Sequence, residues 1–252
     1  MSPHELQRTA DAIRALLKQF KLPTAADEAV RRFEAAGQAD ALPALLDVLE
    51  AESDDRLGRR VDRLRRASKL PPGKTLATLE LARLGVPLAQ KLRELATGAF
   101  ADHAQNVLAF GLPGTGKSHA CCAVGHALVE AGRSVLFVPA FRLVQDLLAA
   151  KRDLRLPKAL RQLDAFDVLI LDDIGYVQQT PEETEVLFTL MAERYERRSM
   201  VITSNLVFSQ WDRIFRNPMT TAAAIDRLVH HSVVLEFDVP SYRTEKAQEA
   251  SP

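Results

Sequence analysis

The sequence predicts an α/β fold in which helices cover both faces of a central parallel sheet of five strands. After residue 100, short apolar runs rich in β-branched residues alternate with helix-forming stretches. Such alternation is typical of a parallel sheet with both faces buried. The five runs lie at residues 107–110, 134–138, 168–171, 200–203 and 233–237.

A small all-helical domain is predicted to precede the sheet. Before residue 100, apolar residues recur at helical spacing in residues 6–20, 25–36 and 41–52, and prolines and glycines separate these stretches. We therefore expect two domains, a helical one over residues 1–99 and a sheet-based one over residues 100–252.

The composition limits the kind of protein. The chain has 252 residues, of which 47% are hydrophobic, and its 33 basic and 33 acidic residues cancel, so nucleic-acid binding would have to rest on local patches. Cys121 and Cys122 are adjacent on a predicted helix and are interpreted as packing residues in a reducing compartment. The sequence contains no membrane-spanning stretch and opens with no signal peptide, which predicts a cytoplasmic protein without membrane contact.

Residues 111–118 match the phosphate-binding loop pattern G-x-x-x-x-G-K-[ST] between a predicted strand and a predicted helix. Backbone N–H groups of such a loop surround phosphates, Lys117 reaches the β- and γ-phosphates, and the Ser118 hydroxyl binds Mg²⁺. A plain glycine turn would not require Lys-Ser at its end. The predicted ATP contacts are Gly111, Pro113, Gly114, Thr115, Gly116, Lys117, Ser118 and His119.

Two acids follow the buried run at residues 168–171. Asp172 and Asp173 are predicted to stand at the carboxyl edge of the sheet, where open α/β sheets bind ligands. Beside a phosphate loop, Asp172 would hold Mg²⁺ and Asp173 would orient the attacking water. The alternative is a surface turn with two solvated aspartates.

The order of these motifs resembles that of the AAA+ ATPases. Asn205 ends the next predicted strand, where its amide can hold a water near the γ-phosphate, and it resembles the family's sensor 1. The resemblance also implies that Arg227 is an arginine finger, inserted into a neighbouring subunit's nucleotide site. A surface arginine paired with Asp226 is the alternative. Too few residues follow Phe237 for a full helical lid, and Arg243 is either a substitute second sensor or part of a solvated tail.

More closely, the chain resembles the IstB-like ATP-binding proteins, helper ATPases of insertion-sequence transposition related to DnaC-type helicase loaders. The resemblance implies an AAA+ ATPase with ATP and Mg²⁺ as cofactors, which forms a homo-oligomer on duplex DNA and recruits or stimulates a cognate transposase of the IstA type. The segments that carry it are Leu22-Pro23 and residues 59–66, 114–119, 168–175, 194–199, 203–205 and 226–230.

Two basic clusters are candidate DNA contacts. Residues 56–74 contain eight basic side chains against one acid, and a second cluster precedes the third strand. Solvated helix faces are the alternative for both. The candidate DNA-binding residues are Arg59, Arg63, Arg66, Lys151, Arg152 and Arg155.

Two other functions stay open from the sequence. A replicative helicase loader would share the motifs but act on a hexameric helicase. A small-molecule phosphotransferase would share the loop but needs a lid and an acceptor pocket.

Overall fold

A computed structural model describes residues 2–175, 180–211, 214, 218–230, 232–242 and 244. The chain divides into two compact units between Asp62 and Arg63. The assignment of residues 1–99 to partner and DNA contacts stays a prediction. Within the described ranges, no helix has both the length and the apolar character needed to cross a membrane.

The first unit is helical, as predicted. It contains helix α1 (Pro3–Gln19), helix α2 (Pro23–Ala35) and the start of helix α3 (Leu42–Ser68). Ser2 caps α1 through a reciprocal pair of hydrogen bonds with Glu5, and a proline begins α2. The buried side chains that form its core include Ile13, Val30 and Leu42.

The second unit is built on a parallel sheet of five strands in the order β2-β3-β4-β1-β5. All five predicted strands are confirmed, with small shifts at their ends. The strands are β1 (Asn106–Gly111), β2 (Val135–Pro139), β3 (Val168–Ile174), β4 (Ser199–Ser204) and β5 (Ser232–Phe237).

Helices cover the sheet on both faces. Successive strand residues point to opposite faces, and Val168, Leu169, Ile170 and Leu171 of β3 are all fully buried. Helices in this unit are α4 (Val86–Ala96), α5 (Ala99–Asp102), α6 (Lys117–Glu130), α7 (Ala140–Arg152), α8 (Leu156–Asp164), α9 (Pro181–Arg194) and α10 (Pro218–Val229).

A buried cation ties helices to the sheet at the amino-terminal ends of the strands. Arg194, at the end of α9, is 1% exposed and donates hydrogen bonds to the carbonyl oxygens of Leu163, Phe166 and Ser199 at 2.9–3.0 Å. Burial lowers its pKa to about 10. The guanidinium therefore fixes the end of α8 and the starts of β3 and β4, whose opposite ends carry the candidate site.

Candidate functional site

The phosphate loop joins β1 to α6 in the conformation that the motif predicts. Gly114 and Gly116 have φ of +84° and +96°, a region that favours glycine, and α6 begins at Lys117. Lys117 is 7% exposed, and its Nζ donates to the carbonyl oxygens of Gly111 and Leu112 at 2.7 and 2.8 Å. The loop is therefore formed around its own lysine, which must leave these carbonyls to reach a phosphate.

The strand register brings the predicted polar residues to the edge of the sheet where this loop lies. In β4, Thr203 pairs with Ala109 of β1, two residues before Gly111. Strand β4 lies between β1 and β3, so adjacent strands about 4.8 Å apart place the acids of β3 roughly 10 Å from β1. Asp172 and Asp173 therefore share an edge with the phosphate loop and with Asn205, which directly follows β4.

Thr203 connects the two acids. Its hydroxyl donates to Asp172 Oδ1 at 2.7 Å and accepts the backbone N–H of Asp173 at 2.8 Å. Asp172 is half-buried and Asp173 is exposed. The Asn205 Oδ1 atom is buried and accepts no hydrogen bond within the described part of the chain. Among the described residues, this edge therefore contains one oriented carboxylate, one exposed carboxylate and one buried amide oxygen without a partner.

The two cysteines are buried on α6, four and five residues after Lys117. Burial raises the pKa of the Cys121 thiol; Cys122 and the Asp172 carboxylate raise it further, while the Lys117 ammonium opposes the rise. Burial also raises the pKa of Cys122 to about 12. Both thiols are free and stay protonated at neutral pH, as expected of packing residues.

A cleft of about 380 Å³ opens beside the phosphate loop. Its volume lies within the usual range of small-molecule sites. Residues of the loop form one wall, residues 74–84 a second and residues 239–242 a third. The lining residues are Lys74, Thr78, Leu79, Glu80, Arg83, Leu84, Gly114, Thr115, Gly116, Lys117, Ser118, His119, Val239, Pro240 and Tyr242.

His119 attaches the second wall to the start of α6. Its Nε2 lies 3.0 Å from Thr78 Oγ1 and 3.3 Å from the carbonyl oxygen of Thr75. Burial lowers its pKa, which favours the neutral ring. The predicted nucleotide contact His119 therefore lines the cleft and also holds the segment that closes one side of it.

The chain after β5 forms the third wall. The Tyr242 N–H donates to the carbonyl oxygen of Gly114 at 3.0 Å, and a Cβ at Gly114 would lie 2.1 Å from Ser241 Oγ. The Tyr242 hydroxyl donates to Glu80, and the Arg83 guanidinium lies 4.4 Å from the Tyr242 ring centre. This wall thus contacts both the loop and the second wall. Arg243, the predicted substitute sensor, lies outside the described residues.

Arg227 lies on α10, the helix before β5, as predicted. Its guanidinium lies 4.8 Å from the centre of the Phe188 ring, and its Nη1 donates to the carbonyl oxygen of Ala223 at 3.2 Å. Asp226 is exposed. Within one chain Arg227 therefore lies against α9 and its own helix.

The candidate DNA-binding residues lie in two places. Arg59, Arg63 and Arg66 are exposed on α3, where Arg59 contacts Glu52 and Asp55 at 3.4 and 3.7 Å. In the other cluster, at the end of α7, Lys151 pairs with Glu185 at 2.6 Å and Arg155 pairs with Asp153. Exposed pairs of this kind contribute about 0–1 kcal/mol each, so a phosphate can replace the acid. Arg152 is exposed beside Lys151.

Comparison with known proteins identifies the family. The model of the family described as IstB-like ATP binding protein matches residues 15–250. The chain belongs to this family. The resemblance drawn from the motifs is thereby confirmed.

Relatives and a solved structure agree with this assignment. An insertion sequence ATP-binding protein of Sinorhizobium fredii is 46% identical over 206 residues, 81% of this chain and 68% of that protein. The insertion sequence IS21 ATP-binding protein of Pseudomonas aeruginosa is 38% identical over 80% of this chain and 76% of that protein. The DnaC helicase loader structure has a TM-score of 0.53 and 17% identity over 70% of this chain and 99% of that chain, which confirms the AAA+ fold.

Three parts of the site escaped sequence reasoning. The sequence places Thr203 at the end of an apolar strand and residues 74–84 in a helical region. It leaves Tyr242 either in a shortened substitute for the second sensor or in a solvated tail. The contacts of the last two join residues far apart in the sequence. One feature of the sequence could have identified Thr203, namely a hydroxyl in a buried strand that ends beside the predicted acids.

Proposed function

We propose that this chain binds ATP at residues 111–118 and hydrolyses it. The observation that carries the proposal is that a preformed phosphate loop and the Asp172–Asp173 pair share one edge of the sheet, in a member of the IstB-like ATP binding family. The loop N–H groups and the start of α6 favour phosphate, and Lys117 adds a positive charge. The base and ribose are expected to occupy the adjoining cleft of about 380 Å³ between residues 74–84 and 239–242.

The site also suits Mg²⁺. This hard ion prefers oxygen ligands, and the Ser118 hydroxyl and the Asp172 carboxylate offer them beside the loop. When bound, Mg²⁺ neutralises charge on the β- and γ-phosphates. Asp172 binds it directly or through a water.

Hydrolysis requires a positioned water and a cation at the γ-phosphate. Asp173 is exposed at the edge and accepts a proton or a hydrogen bond from the attacking water. The Oδ1 of Asn205 is buried and lacks a partner among the described residues, and we expect nucleotide binding to bring this amide into contact with the water. In this proposal Arg227 of a neighbouring copy supplies the cation. Within its own chain this side chain lies against Phe188.

ATP use serves transposition in this proposal. Relatives at 46% and 38% identity that are named as insertion sequence ATP-binding proteins support a role in an insertion sequence. In this proposal the chain assembles on duplex DNA and recruits or stimulates a transposase. The exposed arginines of α3 and the basic end of α7 neutralise DNA phosphates. We expect these surfaces to contact the DNA backbone without reading its sequence, because neither basic cluster contains interleaved aromatic residues that could stack on bases.

The experiment that tests this function measures ATP hydrolysis with and without duplex DNA. We expect ATP hydrolysis to be stimulated by duplexes of unrelated sequence and to be lost in Lys117→Ala. We also expect the protein to co-sediment with a transposase of the IstA type. Equal turnover with and without DNA would contradict the transposition role.

A helicase loader is the second candidate. The DnaC likeness supports it, although at 17% identity that likeness concerns the fold alone. Co-purification with a hexameric helicase in place of a transposase would favour it.

A further inference from the structure

Strand β3 contains a β-bulge at its two acids. Leu171 pairs with Ile202, and Ile174 pairs with Ser204, so three steps along β3 match two steps along β4. Asp172 and Asp173 together therefore face Thr203. A bulge interrupts the ladder and redirects side chains, and bulges are frequent beside active sites.

The Thr203 hydroxyl joins the two residues of the bulge. It accepts the Asp173 N–H at 2.8 Å and donates to Asp172 Oδ1 at 2.7 Å. The direction of both bonds is fixed, because a backbone amide only donates and an ionised carboxylate only accepts. Thr203 is 1% exposed, so water does not compete for its hydroxyl.

The bulge depends on a backbone conformation that needs support. Asp173 has φ of +64°, the left-handed region, where a side chain's Cβ is strained and aspartate is among the few non-glycine residues that occur. The bond from the Asp173 N–H to Thr203 holds this conformation. The same hydroxyl occupies one oxygen of Asp172 and thereby fixes the plane of its carboxylate.

We propose that Thr203 is a positioning residue that sets both acids of the nucleotide site, directing Asp172 Oδ2 toward magnesium and the Asp173 carboxylate toward the attacking water. This inference rests on the proposed ATP site. Partners that orient metal ligands in this way change metal affinity by about 10- to 100-fold when removed.

The test compares four variants of the full chain. Thr203→Val removes the hydroxyl and keeps the shape, Thr203→Ser keeps the hydroxyl, and Thr203→Ala completes a pair with serine that differs in the hydroxyl alone. The matched control is Thr184→Val, because Thr184 is 6% exposed and its hydroxyl has no hydrogen-bond partner within the described ranges. Binding of a fluorescent ATP analogue is titrated with MgCl₂ and repeated in EDTA.

We expect all variants to bind the analogue alike in EDTA. The MgCl₂ concentration for half-maximal enhancement of binding should rise about 10-fold or more in Thr203→Val and Thr203→Ala, and stay near the wild-type value in Thr203→Ser and Thr184→Val. Hydrogen exchange of nucleotide-free protein should show faster exchange at the Asp173 amide in Thr203→Val and Thr203→Ala, and wild-type exchange in Thr203→Ser and Thr184→Val.

Each contrary result has its own meaning. Wild-type Mg²⁺ dependence and amide protection in Thr203→Val would overturn the role of Thr203 and leave the ATP site standing. If the valine variant does not fold, equal Mg²⁺ dependence of the serine and alanine variants would overturn the role of Thr203 instead. A wild-type chain that binds no analogue at any MgCl₂ concentration would refute the ATP site, and this inference with it.

Discussion

The guanidinium of Arg227 lies 4.8 Å from the centre of the Phe188 ring, a cation–π contact between α10 and α9. Its Nη1 also donates to the carbonyl oxygen of Ala223, one turn earlier on α10. If Arg227 acts as a finger in a neighbouring copy, Arg227→Ala should lower ATP turnover by about 10³-fold. Phosphate release at saturating ATP measures the loss.

Mixing separates a finger in trans from a structural role. Arg227→Ala and Lys117→Ala subunits, each inactive alone, should regain activity when combined, since some interfaces then pair an intact loop with an intact arginine. Arg31→Ala is the control, because Arg31 lies on the surface of α2. Absence of rescue, with both variants folded and co-assembling, would contradict the finger.

DNA binding should depend strongly on salt and little on sequence. Each neutralised phosphate contributes about −0.9 to the slope of log affinity against log salt concentration. Replacing Arg63 and Arg66 by alanine, or separately Lys151, Arg152 and Arg155, should make the slope shallower. Titration of labelled duplexes at several salt concentrations, with and without a non-hydrolysable ATP analogue, measures it.

The control for the Arg63 and Arg66 variant carries the same loss of two charges elsewhere. Arg31 and Arg32 are exposed on α2, so their double alanine variant should keep the wild-type slope. ATP should strengthen binding, because an oligomer joins many weak contacts along one duplex. A steep preference for one sequence, or affinity indifferent to salt, would be incompatible with the proposed DNA contacts.

The buried Arg194 should matter for stability. Arg194→Met leaves the carbonyl oxygens of Leu163, Phe166 and Ser199 without their donor, which we expect to lower the free energy of unfolding by about 3–5 kcal/mol. Arg197→Met, which removes an exposed ion pair with Asp164, should cost about 0–1 kcal/mol. Urea unfolding measures the free energy of unfolding of both variants. Equal losses in the two variants would refute the structural role of Arg194.

Acid should weaken the fold partly through Asp167. Burial raises the pKa of this carboxyl, but hydrogen bonds from Ser134 and the nearby Arg198 lower it more, so the net pKa lies below the ordinary value. Its stabilising contribution is therefore complete above about pH 4, the pKa of an unfolded aspartate, and is lost as the pH falls through the lower folded value.

Asp167→Asn makes this dependence measurable. The difference in unfolding free energy between wild type and Asp167→Asn should be constant from pH 7 to pH 5 and shrink below about pH 4. Asp27→Asn on the surface of α2 should change little at any pH. A difference that grows as the pH falls would show that the sign is wrong.

The sequence predicted the strands and the phosphate loop well because both depend on local patterns. Strand β3 shows the limit of prediction from local patterns. Its apolar run ends at Leu171, yet the strand continues to Ile174 through a bulge. A bulge depends on the partner strand, here Thr203, which the β3 sequence does not contain. Contacts of Tyr242 with Gly114 and Glu80 likewise join distant parts of the chain.

Arg194 is a different case, since a local signal existed. It follows Leu187 and Leu190 by seven and four residues, which places it on the buried stripe of α9. A buried arginine needs several hydrogen-bond acceptors. Helical spacing predicts that Arg194 is buried, but it does not predict which carbonyl oxygens accept its hydrogen bonds.

The most direct test of the central claim is calorimetry of ATP binding to wild type, Lys117→Ala and Asp173→Asn, paired with phosphate release in the presence of Mg²⁺. We expect binding and turnover in the wild type, neither in Lys117→Ala, and binding without turnover in Asp173→Asn. Lys117→Ala protein that bound and hydrolysed ATP like the wild type would contradict an ATP site at residues 111–118.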